Sequence, residues 1–133
     1  MPIDYTIDQD AHLVRVRCVG DLTIDGMIQH SLRVNDDARF IPGMDTLTDM
    51  REATLVDDVA AIRNYVDHSA ELEQFRGACK WACLVADESA IRVIWSFNLN
   101  MSDRGSTIET CGFLEESEAL AWLAAKENGQ DNP

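Results

Sequence analysis

The sequence predicts an α/β fold, a mixed sheet of about five strands with the element order ββαβαβαβα. Three observations carry this reading. Two β-rich runs separated by a short polar turn open the chain, which is a hairpin signal. Three strand-then-helix repeats follow, and such alternation implies parallel strands joined by right-handed crossovers. The run CKWACLVA at 79–86 is apolar on both faces apart from Lys80, as a central parallel strand covered on both sides requires.

In order along the chain, Ile3 to Ile7 and His12 to Val19 form the hairpin, joined by DQDA. Val14, Val16 and Cys18 fall on one face of the second run and Arg15 and Arg17 on the other, so one face is packed and the other wet. Gly20-Asp21 is expected to break this strand. Thr23 is placed to cap a helix whose Ile24, Met27, Ile28 and Leu32 make an apolar stripe. That helix stops in the NDD of residues 35–37. Phe40 and Ile41 are expected to tuck under the domain edge, and Pro42-Gly43 is the strongest turn signal.

Met44 to Met50 reads as the third strand, with an odd composition for a central one. Met44, Thr46, Thr48 and Met50 share one face, and Asp45, Leu47 and Asp49 share the other. Inward hydroxyls and carboxylates need hydrogen-bond partners, so Asp49 is expected to accept from backbone N–H groups of a following REAT turn. From Asp57 the pattern turns helical, with Val59, Ile62, Val66, Ala70, Leu72 and Phe75 near one stripe, and Asp57 and Asp58 suit its cap and first turn. Gly77 closes it. After the fourth strand Asp87 caps a helix from about Glu88 to Asn100. Thr107 to Cys111 is a short strand, and LEESEALAWLAAKE is a final helix starting near Glu115 or Ser117.

The 133 residues suit one domain, expected over 1–126 with a disordered tail at 127–133. A hydrophobic share of 46% and a charged share of 26% are ordinary for a soluble globular protein. The formal net charge of −13 repels phosphates and anionic lipid, which argues against nucleic acid or membrane partners. No stretch resembles a leader or a bilayer-crossing segment, so a cytoplasmic protein is expected. Cys18, Cys79, Cys83 and Cys111 all fall in strands. Four strand residues hold Cys79 and Cys83 about 13 Å apart, beyond the ~7 Å limit for a disulfide, so buried thiols are expected. His12, His30 and His68 make no metal-ligand pattern with them, and neither a metal nor a cofactor is implied.

The candidate functional surface is the rim of turns after the parallel strands: Arg51, Thr54, Asp57 and Asp58 after the third, Asp87 and Ser89 after the fourth. Its acidic crowding opposes a phosphate ligand, and the chain has no P-loop or G-x-G-x-x-G. Asp57 and Asp58 are adjacent and diverge by about 100° at a helix start, so they suit capping and not paired acid/base work. No serine or cysteine sits in a nucleophile motif, and no enzyme activity is expected. Trp81 and Trp122 read as core. Ile91, Ile94, Trp95 and Leu99 give the third helix a broad apolar face, read either as one wall of a ligand pocket or, through Trp95, as a homodimer contact.

These residues carry a resemblance. The Gly-Asp-Leu at 20–22, the passage FIPGMDTLTDMREAT at 40–54 and the closing FLEESEALAWL at 113–123 resemble the SpoIIAA-like proteins, a branch of the STAS-domain superfamily that is similar also to Sec14/CRAL-TRIO lipid-binding domains. The resemblance implies a SpoIIAA-like fold and a small regulatory, protein-binding role. It also implies, through the Sec14-like similarity, a carrier or sensor of a small apolar ligand. In the family an Asp-Ser-Ser-Gly at this helix start is the phosphorylation switch. Here Asp57 matches its aspartate, while Asp58, Val59 and Ala60 stand where Ser-Ser-Gly would be. The phospho-acceptor is absent, Asp58 offers a permanent negative charge in its place, and Thr54, read as a loop residue, is the nearest hydroxyl.

Overall fold

The computed structural model describes residues 2–57 and 59–125. Its sheet has five strands in the order β1-β2-β3-β4-β5: β1 Ile3–Asp8, β2 Leu13–Leu22, β3 Asp45–Leu55, β4 Cys79–Leu84 and β5 Ile108–Phe113. β1 is antiparallel to β2 and the remaining neighbours are parallel. The helices are α1 Ile24–Asp36, α2 Val59–Arg76, α3 Glu88–Asp103 and α4 Glu116–Ala124. The expected element order is therefore the observed one.

Each parallel strand pairs with the one before it in the chain, so right-handed crossovers place α1, α2 and α3 on a single face of the sheet. α4 covers the other face, where Leu13, Leu47, Ala82 and Leu84 pack with Ala119 and the half-buried Phe113, Leu120 and Trp122. Lys80 ties α4 down. It is buried at the entry to β4, and its Nζ donates to the carbonyls of Trp122 and Ala125 at 3.0 and 2.7 Å.

Local chemistry sets most boundaries as the sequence implies. Thr23 Oγ1 accepts from Gly26 N–H at 2.9 Å and starts α1, and Asp87 Oδ1 accepts from Ala90 N–H at 3.0 Å and starts α3. Gly77 follows α2 with φ +75, the left-handed conformation that ends helices.

Three expectations are corrected. Gly20-Asp21 does not end β2, which runs on to Leu22 because β3 runs on beside it to Leu55. The REAT segment is accordingly strand and not turn. Asp49 does accept from Arg51 N–H at 3.1 Å, and the Arg51 guanidinium supplies two further bonds at 3.0 and 2.9 Å. Ile41 is exposed, and only Phe40 is half-buried.

The register explains how β3 ends differently from how it begins. Arg17 is opposite Asp49, but Val19 is opposite Glu52, so β3 carries one residue more than β2 across this interval. Such a bulge reverses the alternation of faces. Thr46, Thr48 and Met50 point toward α1–α3 before it, and Ala53 and Leu55 do so after it.

No helix among the described residues is long and apolar enough to cross a membrane. The expected role of Asp58 and the expected disorder of 127–133 lie outside the described residues.

Candidate functional site

Between the sheet and α1–α3 lies a cavity of about 450 Å³, within the roughly 300–1,000 Å³ typical of small-molecule sites. Its floor is built from two rows across the sheet. Val14, Thr46, Trp81 and Thr110 are successive register partners in β2 to β5, and Val16, Thr48 and Cys83 form the next row. The inward threonines of β3 thus line a cavity. Met27, His30, Ser31 and Val34 of α1, Ile62, Tyr65 and Arg76 of α2, and Ala90, Val93, Ile94 and Phe97 of α3 make the walls.

Gly112 stands where a fourth side chain of the second row would be. A Cβ there would come within 3.3 Å of the Ile91 backbone and 3.4 Å of Ile94 Cβ. Its absence lets α3 seat directly on β5 and roof the cavity at this edge.

The cavity has two unlike ends. Toward the C-terminal ends of the strands it is bounded by Leu55, Asp57, Ala86, Asp87 and Val93, of which Ala86, Asp87 and Val93 are exposed. This is the mouth. Toward the N-terminal ends Thr46, Arg76 and Thr110 are buried. Arg76 Nη2 donates to Thr46 Oγ1 at 2.9 Å, and Nη1 reaches Asn35 Oδ1 at 3.5 Å. The guanidinium carbon lies 4.8 Å from the centroid of the Phe40 ring and 5.4 Å from that of Trp81.

Burial dominates the electrostatics. It holds the His30 imidazole down at about 4, with Arg33 and Arg76 adding to the effect, and pushes the Tyr65 phenol up to about 12. It also pushes the Cys18 and Cys79 thiols up to about 11 and the Cys83 thiol up to about 12. These groups are neutral near pH 7, and protonated thiols are poor nucleophiles.

The residues singled out in the sequence separate into three places. Asp57 and Asp87 come together at the mouth, each committed to a helix start. Asp57 Oδ2 accepts from Ile24 N–H of α1, and so caps a different helix from the one its sequence position suggests. Asp87 is held below the usual carboxylate range by the Ala90 N–H and by Ser89, whose Oγ donates to it at 3.1 Å.

Arg51 and Thr54 lie within β3 and line no part of the cavity. Arg51 is bound to Asp49, and Thr54 is exposed in a strand, not a loop. On α3, Ile94 lines the cavity and Ile91 packs at Gly112. Trp95 is 63% exposed and Leu99 is exposed one turn further on. They lie off the cavity because α3 rests on the sheet through Ile94, Phe97 and Met101.

Arg76 and His30 carry no signal of a binding site in the sequence. An arginine in the last turn of a helix reads as a surface cation facing the dipole. A single histidine beside the α1 stripe carries no motif.

Neither a family model nor a curated protein matches the chain. Among solved structures it is similar to the crystal structure of an uncharacterized protein of the DUF3478 family with a SpoIIAA-like fold, from Shewanella loihica PV-4. The two are 17% identical over 92% of each chain, with a TM-score of 0.60. The chain has a SpoIIAA-like fold, as the sequence resemblance implies.

Proposed function

We propose that this chain is a non-enzymatic binding module that carries or senses a small, predominantly apolar ligand held between the sheet and α1–α3. The observation that carries the reading is the cavity itself, about 450 Å³ lined mainly by aliphatic, aromatic and thiol side chains and open at one end. Cores of this size normally close up around voids, because packing density matches that of organic crystals. The groups that chemistry would call on are otherwise engaged: the mouth carboxylates hold helix starts, and burial keeps the thiols protonated.

Titration with the neutral fluorophore Nile red tests the reading. Wild type should give saturable emission. Cys83→Phe, which fills the floor, and Ala90→Trp, which obstructs the mouth, should each weaken binding on the order of tenfold or more while the fold is retained. Trp95→Ser should bind as wild type does. An absence of saturable binding to wild type, or a loss seen only in Trp95→Ser, contradicts the proposal.

A second reading, a regulatory module that binds a protein partner or itself, is favoured by one observation. Trp95 and Leu99 are exposed one turn apart on the outer face of α3, and aromatic residues are enriched at interfaces. Sedimentation of wild type against Trp95→Glu tests self-association. A concentration-dependent dimer abolished by the substitution supports it, and identical monomers count against it.

A further inference from the structure

The cavity has a cation at its closed end and, among the described residues, no anion paired with it. Arg76 is 4% exposed, and none of the ion pairs among the described residues includes it. Its hydrogen-bond partners are neutral: Thr46, Asn35 through a long bond, and the Cys79 thiol. Its Nε, though buried, has no acceptor. The titratable groups that bear on it are the Cys79 thiol, the Tyr65 phenol and the His30 imidazole, all kept neutral by burial near pH 7. Three more polar atoms on residues lining the cavity, Thr110 Oγ1, His30 Nδ1 and Trp81 Nε1, are buried without partners.

An isolated buried charge is costly, and rings and hydroxyls only partly compensate it. The group that best completes such a site is an anion with two oxygens, since a guanidinium presents its N–H donors as a fork. The rest of the cavity is mainly apolar, and its mouth carries Asp57 and Asp87, which repel an anion and leave a hydrocarbon chain indifferent. Charge therefore orients the occupant, head inward and chain toward the mouth.

Resting on the ligand-binding reading above, we infer that the ligand is a single-chain amphiphile of the fatty-acid class, its carboxylate bound at Arg76 beside Thr46 and Thr110 and its chain running between the sheet and α3 to the mouth.

Calorimetric titration of the full chain with dodecanoate, dodecanol and dodecylamine tests this, because the three share one chain and differ in head charge. Dodecanoate should bind wild type on the order of tenfold tighter than dodecanol, and dodecylamine more weakly than either. Arg76→Met should erase the preference for dodecanoate and leave dodecanol binding in place. Arg76→Lys, which keeps the charge without the fork, should fall between them.

Dodecanol binding wild type as tightly as dodecanoate overturns the anionic head while leaving the apolar cavity standing. Binding of none of the three overturns both. A carboxylate preference that persists in Arg76→Met places the head elsewhere and overturns the assignment to Arg76. The wild-type comparison decides the ligand class even if a variant fails to fold.

Discussion

Thr46 and Arg76, 30 residues apart in the chain, meet at the closed end of the cavity, where Arg76 Nη2 donates to Thr46 Oγ1 at 2.9 Å. Threonine at an inward position of a central strand has a reason here, since its hydroxyl is an acceptor for a buried cation. The bond also fixes the end of α2 against β3, across the chain segment that builds one wall of the cavity.

Thr46→Val keeps the shape and removes the acceptor. It should cost about 1–3 kcal/mol, because a guanidinium N–H is left buried and unpaired. Arg76→Met removes the charge that needs the acceptor, so the double variant should lose less than the sum of the two single losses. Urea unfolding of the four proteins gives the coupling, and strictly additive losses would show that the bond does not link the two residues energetically.

Asp57 joins the end of β3 to the start of α1 through Ile24 N–H. Asp57→Ala should cost about 1 kcal/mol, and Asp57→Asn, which keeps an acceptor, should recover most of it. Amide exchange should quicken in the first turn of α1. Faster exchange at the start of α3 instead would contradict the assignment of this carboxylate to α1.

Gly112 marks where α3 touches β5 most closely. Gly112→Val should destabilise by about 1–3 kcal/mol through overpacking against Ile91 and Ile94, and Gly112→Ala by less. Thermal melts decide this. A neutral Gly112→Val would mean that α3 has room to lift, which the seat described above does not allow.

Stability should depend on pH through His30, held at about 4 in the fold against about 6.5 in the unfolded chain. Above about pH 6.5 both states carry a neutral imidazole, and His30 does not make stability pH-dependent. As pH falls from there toward 4, the unfolded chain binds a proton that the fold refuses. Stability is then lost, at up to about 1.4 kcal/mol per pH unit. The unfolding free energy of wild type minus that of His30→Gln should be flat above pH 7 and should fall below it. Parallel curves would mean that the imidazole is not shielded.

Much of this architecture is legible in the sequence, because alternation in β2, the continuous apolar run of β4 and the Thr23 and Asp87 caps are local signals. Thr46 and Thr48 are legible as oddities, hydroxyls on what should be a core face. Their meaning is not, since it depends on three helices standing off the same sheet. The bulge in β3 leaves no local mark: the alternation of residues 44–50 extrapolates smoothly, and only pairing with β2 shows that Ala53 and Leu55 point inward. Arg76 is hidden for a similar reason. Its burial comes from Phe40, distant in the chain, and from Trp81, which the turn into β4 folds back over it, while beside Gly77 it looks like any cation at a helix end.

The central claim is that a ligand enters between the sheet and α1–α3. Two-dimensional amide NMR spectra recorded during a titration with dodecanol test it most directly, because they report where the molecule sits. Saturable shifts should appear at Val16, Thr48, Cys83 and Ile94, with Leu47 and Leu84 on the α4 face unmoved. Shifts confined to Trp95 and Leu99 on the outer face of α3, or no saturable shifts at all, would contradict it.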